Sequence, residues 1–487
     1  FNPNVMNSLS NSVTLKEKIG YGFGDMASSM FWKIFGMYSL FFYTDVFGIA
    51  AAAAGTMFLV ARLWDSFFDL GVGIVADRTR TRWGKYRPYL LWFAIPFAVM
   101  GVITFFVPNF GATGKLVYAY VTYSLMMVVY SIINVPYASL LGVMSPDPKT
   151  RNVLSSYRMS FAFIGSFITF MLLQPLVDTF AKIFDPESFD KASKVAGAAA
   201  SVSNSPIGWT LGVAVIGAIC AVLFFSCFSM TRERVEAANQ EENENVSVKQ
   251  DLKHLFHNAP WWILVATGLA ALLFNAVRDG VAIYYFRDFV GSTYVVPFFG
   301  WDMATIYFLV GQAANIVGVV LAPSISAKYG KRNTYMLAML IASVLSVLFF
   351  FVPNNISLIL LLQVLISICA GYVLPLLWSM FSDIVDYQEY KTNRRASGLI
   401  FSSSSMSQKL GWAFGAALGG WILAIFNYNP ELAQQLPETI FGERLMLSIL
   451  PAICALLAVV GMLFYPLRDS MLEKIAAELA ERRNKAE

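Results

Sequence analysis

Gly73-Ile-Val-Ala-Asp77-Arg78-Thr-Arg80-Thr-Arg82-Trp-Gly84-Lys85 and Pro323-Ser-Ile-Ser-Ala-Lys328-Tyr-Gly330-Lys331-Arg332 carry the same message in the two halves of the chain. Each leaves the second apolar run of its half and ends in glycine and basic residues. That matched position points to two parallel repeats with a site between them. Working outward, apolar stretches of about 20 residues, the length of a bilayer-crossing helix, recur from Phe23 to Leu463.

The 487 residues are 57% hydrophobic, 15% aromatic and 14% charged, against roughly 25% charged in a soluble protein. Such a chain cannot supply a water-facing surface, which excludes disorder, a secreted disulfide scaffold and an ordinary cytosolic enzyme. Cys220, Cys227, Cys369 and Cys454 lie inside apolar stretches and read as small hydrophobes. His254 and His257 sit in a polar connector, so no histidine metal site, resident cofactor or nucleic-acid partner is expected.

Reading for apolar length between polar breaks gives twelve spans, at about 20–46, 51–76, 87–107, 115–141, 154–180, 207–230, 259–287, 299–327, 333–352, 357–386, 396–427 and 444–466. Of the 35 lysines and arginines, 24 fall on the side of both termini and six on the opposite side, so the positive-inside rule places both termini in the cytoplasm. The expected fold is an all-α polytopic membrane protein, a major facilitator with twelve transmembrane helices in two six-helix bundles. Residues 16–230 and 259–466 form the bundles and 231–258 a cytoplasmic linker containing Glu-Glu-Asn-Glu-Asn at 241–245. Residues 1–15 are a tail in which 1–5 precede Met6, the expected natural start. In 467–487, Met471, Leu472, Ile475 and Leu479 recur among charges, and an amphipathic helix on the membrane surface is expected.

Ionisable residues inside a bilayer cost at least ~2.5 kcal/mol each on insertion scales, so a cluster asks for a function. Arg62-Leu-Trp-Asp65-Ser-Phe-Phe-Asp69 places Arg62, Asp65 and Asp69 at i, i+3 and i+7, one stripe of a helix. One arginine offsets one carboxylate; the other takes up a proton, or a monovalent cation sits between both. The competing reading is a structural network closing this helix against its neighbours. Other intramembrane polar groups are Asp25, Ser28, Ser29, Trp32, Asn134 and Arg158 in the first half and Arg278, Asp279, Trp378, Gln408, Lys409 and Trp412 in the second. Ionic groups and flat aromatic faces are what hydroxyl-rich ligands require, although Arg278-Asp279 also reads as a self-satisfied pair. Asp77, Arg78, Arg82, Lys85, Lys331, Arg332 and Asp386 lie near cytoplasmic ends and read as gate residues that pair across the halves.

At these residues the chain resembles the glycoside–pentoside–hexuronide:cation symporters, whose best-known member is the melibiose permease. The motifs are Lys18-Ile-Gly-Tyr-Gly-Phe-Gly-Asp25, Tyr43-Thr-Asp45-Val, the Arg62–Asp69 stretch, Arg82-Trp-Gly-Lys85-Tyr-Arg-Pro88, Ala282-Ile-Tyr-Tyr-Phe286 and Asp386-Tyr-Gln-Glu-Tyr-Lys391-Thr-Asn-Arg394-Arg. The resemblance implies sugar uptake driven by sodium, lithium or protons, with Asp65 and Asp69 as the cation site and Ser131 keeping the oxygen of a family threonine. Phe68 stands where that permease has a site asparagine, which leaves proton coupling a rival to sodium. Ser28 and Ser29 replace its sugar-gripping Lys-Asp pair and Asn134 its aspartate, whereas Arg158 and Lys409 are kept. Asp25, Arg278-Asp279, Trp378 and Gln408-Lys409-Leu-Gly-Trp412 are closer to the pentoside and hexuronide branch.

The expected activity is therefore symport of Na⁺ or H⁺ with a pentoside, xyloside, other glycoside or hexuronide by alternating access, in a monomer of the inner membrane. A cation-coupled carrier of amphiphiles such as lysolipids and a non-transporting sugar sensor are the alternatives. An enzyme would need a nucleophile–base or metal set in the spans, and none is evident there in the sequence.

Overall fold

The structure, a computed structural model, describes residues 13–145, 148–188, 203–234, 255–291, 301–392, 397–432 and 434–486. Its elements are helical rods in the order the apolar runs predict. The first rod starts as α1 (Leu15–Lys33) and continues through π-helical turns at Ile34–Tyr38 and Phe42–Val46. There follow α2 (Ala51–Arg78), α3 (Arg87–Thr104), α4 (Ala112–Met144), α5 (Pro148–Phe184) and α6 (Pro206–Met230). The second half holds α7 (Ala259–Tyr285), closing in a π turn at Phe286–Val290, then α8 (Met303–Tyr329) and α9 (Lys331–Phe351). The tenth rod is α10 (Ile356–Gly371) and α11 (Val373–Thr392), the eleventh α12 (Ser397–Ile425), and the twelfth α13 (Pro437–Leu447) and α14 (Ile449–Leu463). Among the described residues nine rods are long and apolar enough to cross a membrane. The first, second and eleventh carry Lys33, Arg62 and Asp65, and Lys409.

Local chemistry sets the ends. Thr14 and Glu17 form a capping box at the start of α1. The side chains of Ser205, Asn258 and Asn355 cap α6, α7 and α10, the first two followed within two residues by proline. Gly48 and Gly291 close the first and seventh rods with φ of +82° and +71°, a left-handed backbone that glycine adopts without penalty.

The chain divides into two compact units. One comprises 1–242 with 291–306 and 429–434; the other comprises 243–290, 307–428 and 435–487. Each is tied by a glycine contact of the same design. In the first unit a Cβ on Gly165 of α5 would lie 2.5 Å from the Met26 carbonyl oxygen of α1. In the second, a Cβ on Gly415 of α12 would lie 2.3 Å from the Ala276 Cβ of α7. Lipid supplies no hydrophobic drive between helices, so such close approach is a main source of cohesion. Most of the linker and the acidic run 241–245 lie outside the described residues.

The tail is helical. The helix α15 (Asp469–Ala486) packs against α11 in its own unit, and Ile475 and Leu479 are buried. Met471, at the start of the same stripe, is exposed and Leu472 is half-buried.

Gly165→Leu should cost about 2 kcal/mol through overpacking and lower the thermal unfolding midpoint in detergent. Gly142→Leu, on a helix position with nothing within 4 Å of the added Cβ, should leave that midpoint in place.

Candidate functional site

The first unit gathers its polar groups on α1, α2, α4 and α5. Asp65 is 1% exposed, and the Ser131 hydroxyl of α4 donates a short hydrogen bond to its Oδ1. Arg62, one turn earlier on α2, brings Nη1 to 4.0 Å from Asp65 Oδ2. Its guanidinium lies 4.4 Å over the Trp32 ring of α1, so the cation is shared between a carboxylate and an aromatic face. Asp69 follows one turn later and is half-buried. Arg62 and Asp65 thus have Trp32 and Ser131 as neighbours.

The same unit ties the remaining candidates nearby. Trp32 and Tyr130 place their ring centroids 6.0 Å apart. Ser28 Oγ donates to Asn134 Oδ1 at 2.6 Å, and Asn134 Nδ2 donates to the Tyr130 carbonyl at 3.0 Å. Asp25 pairs with Arg158 at 3.2 Å, and the guanidinium lies 5.3 Å over the Tyr137 ring. Ser29 is half-buried on α1. Acids, amides, hydroxyls and aromatic faces therefore run along one polar seam, the inventory a sugar requires.

In the second unit Arg278 sits in a buried polar cluster. It is 3% exposed, and Nη2 donates to Tyr307 Oη at 2.7 Å and Gln363 Oε1 at 2.6 Å. Nη1 reaches Ser346 Oγ at 3.4 Å, and the Phe274 and Phe349 rings flank the guanidinium. Arg278 thereby joins α7 to α8, α9 and α10 through neutral acceptors. Asp279 is half-buried on the next position of α7. Gln408, Lys409 and Trp412 are half-buried on α12, and Trp378 on α11 is 38% exposed.

The basic stretches find partners in their own units. Lys331 Nζ donates to both carboxylate oxygens of Asp383 at 2.8 Å, and Arg332 donates to the Met462 and Leu463 carbonyls. Arg78 and Arg82 are exposed, the latter over the Trp83 ring at 4.4 Å. Asp386 is half-buried on α11, and the Asp77 side chain lies outside the described residues.

Sequence reasoning missed the staple that holds the first stretch. Glu233 accepts the backbone N–H groups of Lys85, Tyr86 and Arg87 at 2.8, 2.8 and 2.9 Å, as an anion does at a helix N-terminus. Gly84 allows this approach, because a Cβ there would lie 2.5 Å from the Glu233 carboxyl. Arg234 pairs with Glu17 at 2.8 Å and donates its backbone N–H to the Val143 carbonyl. Burial pushes the Glu17 carboxyl up, but hydrogen bonds from Arg234 and Thr14 outweigh it and hold the group below its ordinary value. Only the Thr14-x-x-Glu17 capping pattern hinted at this in the sequence.

Fold and seam define a multi-pass membrane protein of the major facilitator type. The chain belongs to the MFS/sugar transport protein family, whose model matches residues 20–469, and within it to the glycoside–pentoside–hexuronide:cation symporters. YagG of Escherichia coli (strain K12), designated a candidate glycoside/cation symporter, is 35% identical over 97% of this chain and 96% of its own. The isoprimeverose transporter of Lactiplantibacillus pentosus is 33% identical over 97% of this chain and 92% of its own. The crystal structure of a D-xylose-proton symporter shares the fold, with a TM-score of 0.61 at 14% identity over 92% of this chain and 97% of that one.

The Glu17–Arg234 pair has a defined pH signature. Because the folded carboxyl sits below its unfolded value, its stabilisation is complete above the unfolded pKa of about 4.5 and is lost as pH falls through the folded value. Glu17→Gln should lower the unfolding midpoint at neutral pH, and the gap to wild type should narrow as the sample is acidified through that range.

Proposed function

We propose that this chain is a secondary active symporter that couples inward movement of Na⁺ or H⁺ to uptake of a pentoside, xyloside, other glycoside or hexuronide by alternating access. The observation that carries the reading is Asp65, a carboxylate buried to 1% exposure with the Ser131 oxygen on it and Asp69 one turn along the same stripe. Carboxylate and hydroxyl oxygens are the ligands a hard monovalent cation accepts, and the same carboxylates can hold a proton. The cation is cargo: it binds, travels and leaves with the substrate.

Arg62 tunes this site from Trp32, and loading it changes the charge that α2 presents inside the bilayer. An inward monovalent cation gains about 2.3 kcal/mol per 100 mV of membrane potential, which the coupling spends on concentrating the sugar. Sugar contacts in the first unit are assigned to Asp25, Ser28, Ser29, Trp32, Asn134 and Arg158. Trp378, Gln408, Lys409 and Trp412 are the second unit's contributors, whereas Arg278 holds helices together, and Asp279 sits beside it. The relatives named as a glycoside/cation symporter candidate and an isoprimeverose transporter support a glycoside over a free amino acid or ion as substrate. The excess of basic residues on one side, 24 against six, supports cytoplasmic termini in the inner membrane, with 77–87 and 328–332 at the inner gate. The substrate crosses chemically unchanged, and the working unit is the monomer.

Uptake of labelled glycosides and uronides into proteoliposomes, under separate sodium and proton gradients, tests the reading. Asp65→Asn should abolish concentrative uptake while leaving sugar exchange measurable. Unchanged accumulation in that variant, or no gradient-driven uptake of any glycoside by wild type, would contradict it.

A further inference from the structure

The face of α2 beside the carboxylate stripe borders a cavity of about 490 Å³ with almost no polar lining. Trp64, Phe68, Gly71 and Val75 form its α2 wall, and Tyr89 and Phe93 of α3 its floor. Trp64 and Val75 are 57% and 61% exposed, so the recess opens at the surface. A Cβ on Gly71 would meet nothing within 4 Å. The recess offers a sugar's hydroxyls almost no polar partner.

Charge begins abruptly at one end. One turn beyond Val75 come Arg78, Arg80 and Arg82, all exposed, and then Lys85: four basic residues within eight positions. The Tyr89 hydroxyl that ends the recess lies 2.6 Å from the Thr79 hydroxyl, between the first two of these arginines. A matching molecule is apolar for most of its length and negatively charged at one end. Basic clusters directly beside a membrane-spanning helix attract anionic lipid headgroups, and here an acyl-chain recess continues the cluster into the apolar zone.

We propose that recess and arginines form one binding site for an anionic phospholipid, with an acyl chain between α2 and α3 and the phosphate at Arg78, Arg80 and Arg82. The site lies against the helix that carries Asp65 and Asp69, and it is independent of which sugar or ion is carried.

Native mass spectrometry of the delipidated full chain, offered phosphatidylglycerol or phosphatidylcholine with identical acyl chains, tests this. Wild type should retain one phosphatidylglycerol per chain with about tenfold preference over phosphatidylcholine. Gly71→Leu, which fills the recess, should abolish tight retention of either lipid, and Val75→Trp serves as a second filling variant if the first folds poorly. Neutralising the three arginines to glutamine should reduce phosphatidylglycerol to the phosphatidylcholine level. Equal retention of the two lipids by wild type, a tightly held lipid in both filled variants, or an undiminished preference without the arginines overturns the proposal.

Discussion

A carboxylate buried among membrane helices is the constraint around which the first unit is organised. Asp65 at 1% exposure incurs a desolvation cost of several kcal/mol, so its surroundings must return that energy through fixed dipoles and charge. Ser131 supplies a hydroxyl from α4 and Arg62 a guanidinium from the same helix. Arg62 is in turn held by the Trp32 face, which links α2 to α1. A 4.0 Å separation is a loose ion pair. A tight bidentate grip would stabilise the fold and fix the charge.

The second unit uses a buried arginine for the opposite purpose. Arg278 is surrounded by neutral acceptors and aromatic faces on three neighbouring helices. These bonds add cohesion where lipid gives none. One unit thus sets its buried arginine against a carboxylate, and the other sets it among neutral groups.

What could be read from the sequence followed from strong physical filters. Bilayer thickness sets the length of apolar runs, so the twelve rods and their order were legible, as was the stripe of Arg62, Asp65 and Asp69. Ser131 entered through family resemblance, because no spacing rule links a fourth-helix serine to a second-helix acid. The partners of Arg278 were illegible for the same reason: Gln363 is 85 positions away. The breaks at Tyr372 and Ser448 left no apolar gap and passed as continuous spans. Glu233 and Arg234 resembled the start of a solvated linker, since a staple is defined by what it touches.

The wide turns of the first rod bear on every face assigned along it. Each π turn accommodates an additional residue per hydrogen-bonded loop, and an additional residue rotates all that follows by about 100°. With such turns at 34–38 and 42–46, Asp45 and its neighbours look in a direction that an unbroken helical wheel drawn from Asp25 would misplace. Azimuth beyond Lys33 is therefore a property of backbone winding, and single-residue insertions or deletions there would turn the Val46 end of the rod like a key while leaving its Leu15 end still.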